Sequence, residues 1–170
     1  EKDLERLNVI SERFNKIGSK PKLTKENICE EIDKTINYLR ARLSKKIILE
    51  FEHSKDEIIA YINKQLFSWS LENIIKNSID SMKDTGKVKI SIIEENEYLK
   101  IYISDNGIGI KQSIKNKIFN PGVTTKERGW GLGLSLSKRI IEEYHNGEIK
   151  LTESVVGQGT KMLIKLKTVK

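Results

Sequence analysis

The stretch from Asp105 to Leu134 opens with Asp105-Asn106-Gly107-Ile108-Gly109 and closes with Gly129-Trp130-Gly131-Leu132-Gly133-Leu134. Between these glycine clusters lies a polar, irregular run containing Pro121, Gly122, Thr124, Thr125 and Lys126. Glycine lets a backbone come close to a ligand and adopt positive φ. The second cluster runs into a predicted helix, Leu132 to Tyr144, whose first N–H groups and dipole suit an anion. The first cluster begins with a carboxylate at the end of an apolar strand. A carboxylate there can accept from the amino group of adenine, whereas guanine presents an acceptor oxygen at the equivalent atom. The residues alone therefore read as a nucleotide pocket, with the base at Asp105 and the phosphates at Gly131 and Gly133. The lid between them has hinges at Gly122, Gly129 and Gly131.

Length and composition fit this reading. A chain of 170 residues is one domain, and 37% hydrophobic residues suffice for a core. No apolar run approaches the roughly 20 residues of a membrane span, and nothing resembles a secretory signal. The single Cys29 excludes an internal disulfide and suits a reducing, cytoplasmic setting. Its place in an amphipathic helix reads as a buried structural thiol. The net charge of +7 is uneven, with 12 Lys and Arg against 5 Asp and Glu over residues 111–170. These lysines are scattered through strand and helix patterns with no aromatic stacking platform, so a nucleic-acid partner is not expected.

Upstream, Leu7, Ile10, Phe14 and Ile17 follow a 3-4-3 spacing, the seam of a bundle helix that cannot be buried alone. Thr24 is the expected cap of a second helix over 25–43, with Ile28, Ile32, Ile36, Leu39 and Leu43 on one face. Strands are expected at Ile47–His53 and near Ile58–Ile62. Asn63 then caps a helix running to Met82. Along it Asn73, Lys76, Asn77 and Asp80 fall at i, i+3, i+4 and i+7, opposite Leu71, Ile75, Ile79 and Met82. That spacing serves equally for a solvated surface stripe. Yet asparagine is a weak helix former, and its carbonyl is a neutral ligand suited to a Mg²⁺ whose charge phosphates already meet. Lys87–Glu94 and Glu97–Ser104 read as strands about a turn at Glu95-Asn96 and lead into Asp105. After the lid helix, Asn146-Gly147 reads as a C-cap. Glu148–Glu153 and Thr160–Thr168 then read as a closing hairpin with Gly157 and Gly159 in its loop. His53 is expected to be a strand residue in solvent. His145, at a helix C-terminus, is expected to be structural and well placed for a cation.

Taken together, these motifs resemble the ATP-binding catalytic domain of sensor histidine kinases, within the GHKL superfamily that also holds DNA gyrase, the mismatch-repair ATPase and a heat-shock chaperone. Glu72 to Asp80 resembles the family's asparagine box, and Asp105 to Gly109 its first glycine box. Phe119-Asn120-Pro121 resembles its phenylalanine box, although Gly122-Val123 stand where a second aromatic is usual. Gly129 to Leu134 resembles the second glycine box and Gly157-Gln158-Gly159-Thr160 the third. Five such motifs in order are specific where each alone is weak.

The resemblance implies a two-layer α/β sandwich of the Bergerat type, with residues 1–20 ending a dimerisation helix and linker and 21–170 forming the ATP-binding domain. It implies ATP and Mg²⁺ as ligands. Asn77, helped by Asn73, would hold the metal, and Asn77 and Lys126 would act in catalysis. Asp105 would hold the adenine amino group, with Thr160 fixing it through water. Gly107, Gly109, Ile110, Gly129, Gly131, Leu132, Gly133 and Leu134 would shape the walls, and Lys76 and Asp80 would line the pocket. Lys126, with Thr124 and Thr125, would reach the terminal phosphate. The acceptor would be a histidine on a dimerisation domain of the same homodimeric, membrane-anchored receptor, with a response regulator downstream. An anti-sigma-type serine kinase or a DNA-processing ATPase shares the pocket and is the alternative.

Overall fold

The computed structural model describes residues 21–126 and 129–169. The expected bundle helix over residues 1–17 lies outside them. The chain begins with a short strand, β1 (Thr24–Asn27), followed by α1 (Ile28–Arg40), β2 (Ile47–Glu52) and β3 (Ile59–Ile62). Then come α2 (Lys64–Asp80), β4 (Gly86–Glu95), β5 (Tyr98–Asp105) and a single turn, α3 (Gln112–Lys115). Helix α4 (Gly133–Arg139) passes directly into a π-helical turn, Ile140–Tyr144, before β6 (Glu148–Val155) and β7 (Gly159–Lys167) close the chain.

Thr24 does not cap a helix. Residues Thr24–Asn27 pair antiparallel with Ile59–Ile62, and Asn27 is the cap, its side chain accepting from the Cys29 N–H. The cap lies one strand later than the sequence suggests because the Ile59–Ile62 edge offers Thr24–Asn27 a ladder that local propensity cannot foresee. The remaining elements fall close to the expected places.

The main sheet is mixed, in the order β2-β4-β5-β7-β6, with β2 parallel to β4 and the other pairs antiparallel. Its strands alternate. Val88, Ile90 and Ile92 of β4, Leu99, Ile101 and Ile103 of β5, and Met162, Ile164 and Leu166 of β7 are buried. They pack with Ile28, Ile32 and Ile36 of α1 and Phe67, Leu71, Ile74 and Ile75 of α2 in one core. The opposite sheet face carries lysine pairs such as Lys87–Glu50 and Lys89–Glu52. The result is a two-layer α/β sandwich in which α1 and α2 cover one face of the sheet.

Two consequences of the period-two rule position the site. Asp105 ends the inward row Leu99, Ile101, Ile103, so its carboxylate faces the helix layer rather than solvent. Thr160 begins the inward row of β7 and is its cross-strand partner. On β6 the inward row Ile149, Leu151 would continue to Glu153. A bulge intervenes instead: Leu151 pairs with Met162 but Glu153 with Lys161, leaving Thr152 extra, its hydroxyl donating to the Lys161 carbonyl at 2.9 Å. The bulge shifts parity by one, so Ser154 turns inward opposite Thr160.

His145 is buried, and burial pushes its imidazole below the ordinary histidine range. Nδ1–H donates to the Ile140 carbonyl at 2.8 Å, while Nε2 accepts from the Asn63 N–H at 3.1 Å. One acceptor and one donor fix a neutral ring. The residue is therefore structural, as expected, but it is not a cation for a helix end: it ties the π-turn to the start of α2. His53 is partly exposed beyond β2, with Nδ1 2.8 Å from the Lys55 carbonyl. Cys29 is a buried free thiol, raised by that burial.

Candidate functional site

Helix α2, the glycine turn after β5, the start of α4, and Thr160 and Met162 of β7 enclose a cavity of about 640 Å³. The polar stripe of α2 faces it, with Asn73, Lys76, Asn77 and Asp80 all on the wall. Asp105, Gly109, Ile110, Thr124, Thr125, Lys126, Gly129, Gly131, Leu132, Gly133, Leu134 and Thr160 join them. Of the residues expected at the site only Gly107 lies behind the wall. There a Cβ would come 1.8 Å from the Ser81 hydroxyl, so only glycine fits.

Asp105 is held by one oxygen. Its Oδ1 accepts from the Gly107 N–H at 3.0 Å and the Thr160 N–H at 3.2 Å; the Ser81 hydroxyl lies 3.4 Å away and gives its proton to the Ser78 carbonyl at 2.7 Å. Its Oδ2 takes no hydrogen bond from a described residue and is free to accept. A carboxylate whose first oxygen is saturated by the frame presents the second as a fixed acceptor. Gly159 lets the strands approach this closely, at φ 113°, because a Cβ would lie 1.9 Å from the Asp105 carbonyl oxygen.

At the other end of the cavity, α4 begins without a side-chain cap at Leu132, which leaves its first N–H groups available. A Cβ on Gly133 would sit 3.7 Å from the Asn73 side chain, so this helix start abuts the α2 stripe. Asn73 Nδ2 is buried with no partner. Asn77 Oδ1 accepts from the Lys126 ammonium at 3.0 Å, and Asp80 receives the same ammonium at 2.5 Å. The pair is half exposed and contributes little to stability. Its interest is chemical: a cation already rests on the Asn77 carbonyl. The neck of the lid is closed by the Gly122 N–H, which donates to the Gly131 carbonyl at 3.0 Å, with both glycines at positive φ. Lys76 is half exposed and paired with Glu72 at 2.6 Å.

Three residues were not anticipated in these roles. Ser81 extends the 73–77 stripe by one more turn, so the i+4 rule carried one step further finds it. Trp130, 67% exposed, lies on the cavity wall among glycines. Ser154 reaches the site through the bulge. Among the described residues no cluster of three His, Cys, Asp or Glu could hold a metal.

Residues 64–170 match the family model for histidine kinase-, DNA gyrase B- and HSP90-like ATPases. The nitrogen regulation protein NtrY of Azorhizobium caulinodans is 31% identical over 87% of this chain and 20% of its own length. Sporulation kinase D of Bacillus subtilis is 34% identical over 98% of this chain and 33% of its own length. The chain thus spans a fifth to a third of these relatives. Among solved structures, the nucleotide-free catalytic domain of histidine kinase ThkA superposes with a TM-score of 0.78 at 27% identity, over 86% of this chain and 96% of that one. The cavity between an asparagine-bearing helix and two glycine turns is thus built on a shared fold, and the chain belongs to the histidine kinase-, DNA gyrase B- and HSP90-like ATPase family.

Proposed function

We propose that this chain is the catalytic ATP-binding part of a sensor histidine kinase, and that it donates the terminal phosphoryl group of Mg-ATP to a histidine on a dimerisation domain. The observation that carries the proposal is the free Oδ2 of Asp105, facing a cavity whose far end holds Asn77, Lys126 and an uncapped helix start. A fixed acceptor suits the adenine amino group, and the far end suits phosphates.

The donor set fits Mg²⁺. The Asn77 carbonyl already takes one cation, the Lys126 ammonium. The Asn73 carbonyl would be the second oxygen, on the same wall beside Gly133. Two neutral carbonyls with one nearby carboxylate leave most of the charge to phosphate oxygens, which is how Mg²⁺ is ordinarily held. When bound, the metal would neutralise charge on the phosphates. The chain's own residues do the rest: Asp105 fixes the base, the α4 N–H groups receive phosphate oxygens, and Lys126 leaves Asp80 for the terminal phosphate. Phosphoryl transfer asks for this positioning and charge neutralisation more than for covalent chemistry.

A two-component role with a response regulator downstream belongs to the same proposal, since histidine kinase ThkA, whose catalytic domain shares this fold, has been solved in complex with the response regulator protein TrrA. His53 and His145 are poor acceptors. His53 stands just past the end of strand β2 rather than on a bundle helix, and His145 is buried with both nitrogens occupied. Incubation with radiolabelled ATP should therefore leave this chain unlabelled and give acid-labile phosphohistidine on a separately supplied dimerisation helix pair. Transfer should be weak because the tether is missing. Stoichiometric acid-labile label on this chain alone would overturn the proposal.

A further inference from the structure

Ser154 is buried where β6 meets β7 and the glycine turn that follows β5, and its hydroxyl is the centre of a small network. It accepts from the Ile110 N–H at 2.8 Å, in the first glycine turn. It lies 3.2 Å from the Gly159 carbonyl and 2.9 Å from the Thr160 hydroxyl. A serine hydroxyl has one proton and two lone pairs. If that proton went to Thr160, the Thr160 proton would find no acceptor among the described residues. If it goes to the Gly159 carbonyl, Thr160 can donate into the remaining lone pair of Ser154. The second arrangement makes three bonds within the protein where the first makes two, and it spends the Ser154 proton on the carbonyl of buried Gly159, which burial favours.

The direction matters because Thr160 is on the cavity wall as the cross-strand partner of Asp105. With its proton committed to Ser154, Thr160 Oγ1 shows the cavity lone pairs only. Asp105 Oδ2 shows lone pairs only as well. We propose that Ser154 is a specificity-positioning residue: it orients the Thr160 hydroxyl so that the base end of the site presents acceptors alone, admitting a 6-amino purine and refusing a 6-oxo purine. The inference rests on the proposed placement of the base at Asp105. It adds a residue that does not touch the ligand and acts through the direction of one proton.

The test is calorimetric binding of ADP and IDP, with Mg²⁺, to the native chain and to Ser154→Ala. The two nucleotides differ only in the 6-amino against the 6-oxo group and the proton that accompanies the latter on the ring. In Ser154→Ala the Thr160 hydroxyl loses its acceptor and can turn its proton toward a 6-oxo group. The ratio of ADP to IDP affinity should fall about three- to tenfold, the value of one neutral hydrogen bond. A residue that merely supports the loop would lower both affinities together and leave the ratio alone. On a Thr160→Val background the same Ser154→Ala change should leave the ratio where Thr160→Val alone puts it, because no hydroxyl remains to be turned. If Ser154→Ala does not melt cooperatively, Ser154→Cys, a weaker donor and acceptor of similar shape, should show the same shift at reduced size. An unchanged ratio in the folded variants, with the native chain still preferring ADP, overturns this inference and spares the placement of the base. A native chain that binds IDP as well as ADP overturns the placement itself.

Discussion

Replacing Asp105 by asparagine keeps the size of the side chain and removes one charge. Asparagine has two possible orientations, and the frame selects between them. The Gly107 and Thr160 N–H groups both converge on Oδ1. An amide NH₂ placed there would oppose two backbone N–H donors, so the carbonyl must stay and the NH₂ must face the cavity. The position that accepted in Asp105 then donates. For ADP the loss is that of a hydrogen bond to a charged acceptor, about 1.5–3 kcal/mol. At about 1.4 kcal/mol per tenfold that is roughly a 10- to 150-fold rise in Kd. For IDP the new donor meets an acceptor, so its affinity should hold or improve and the native preference should shrink or invert. Because Oδ1 keeps its two N–H donors, the melting transition should remain cooperative. Titration calorimetry of both nucleotides with Mg²⁺ provides the measurement. A folded Asp105→Asn chain that binds ADP as tightly as the native chain would refute the reasoning from Oδ2.

Two further outcomes are expected. Asn77→Ala should weaken ADP binding strongly with Mg²⁺ and little without it, and equal loss in both calorimetric titrations would remove Asn77 from the metal. For His145, the imidazole is lowered in the folded chain, so below pH 6.5 the unfolded chain binds more protons than the native one. Its contribution to stability is whole above about pH 6.5 and shrinks as pH falls through that value toward the lowered one. His145→Phe should flatten that part of the pH–stability curve measured by urea unfolding, and an unchanged slope would deny the neutral ring its role.

What could be read beforehand was what depends on periodicity. The inward rows of β4, β5 and β7, the apolar face of α1 and the stripe Asn73, Asn77, Asp80 each repeat with the spacing of their element, so the sequence displays them directly. The site's glycines were legible for a related reason, since few other residues serve a backbone that must touch a neighbour, as at Gly107 and Gly159. The missed features depend on partners distant along the chain. Thr24–Asn27 is a strand only because Ile59–Ile62 offers an edge. Ser154 faces inward only because Thr152 is extra relative to β7, and nothing in Thr152-Glu153-Ser154 signals a bulge. His145 is neutral because the Asn63 N–H, 82 residues away, points at its Nε2.

The neck of the lid has a bearing on how such domains can diverge. The Gly122 N–H and the Gly131 carbonyl close the segment on itself, so its two ends meet whatever lies between them. A loop closed at its base adds only about 0.6 kcal/mol of closure entropy for each doubling of its length. Residues inserted inside the neck would therefore leave the strand pairing of Asp105 with Thr160 and the start of α4 where they are. Lid length and composition can vary as a separate module, while an insertion just outside the neck would move the helix start itself.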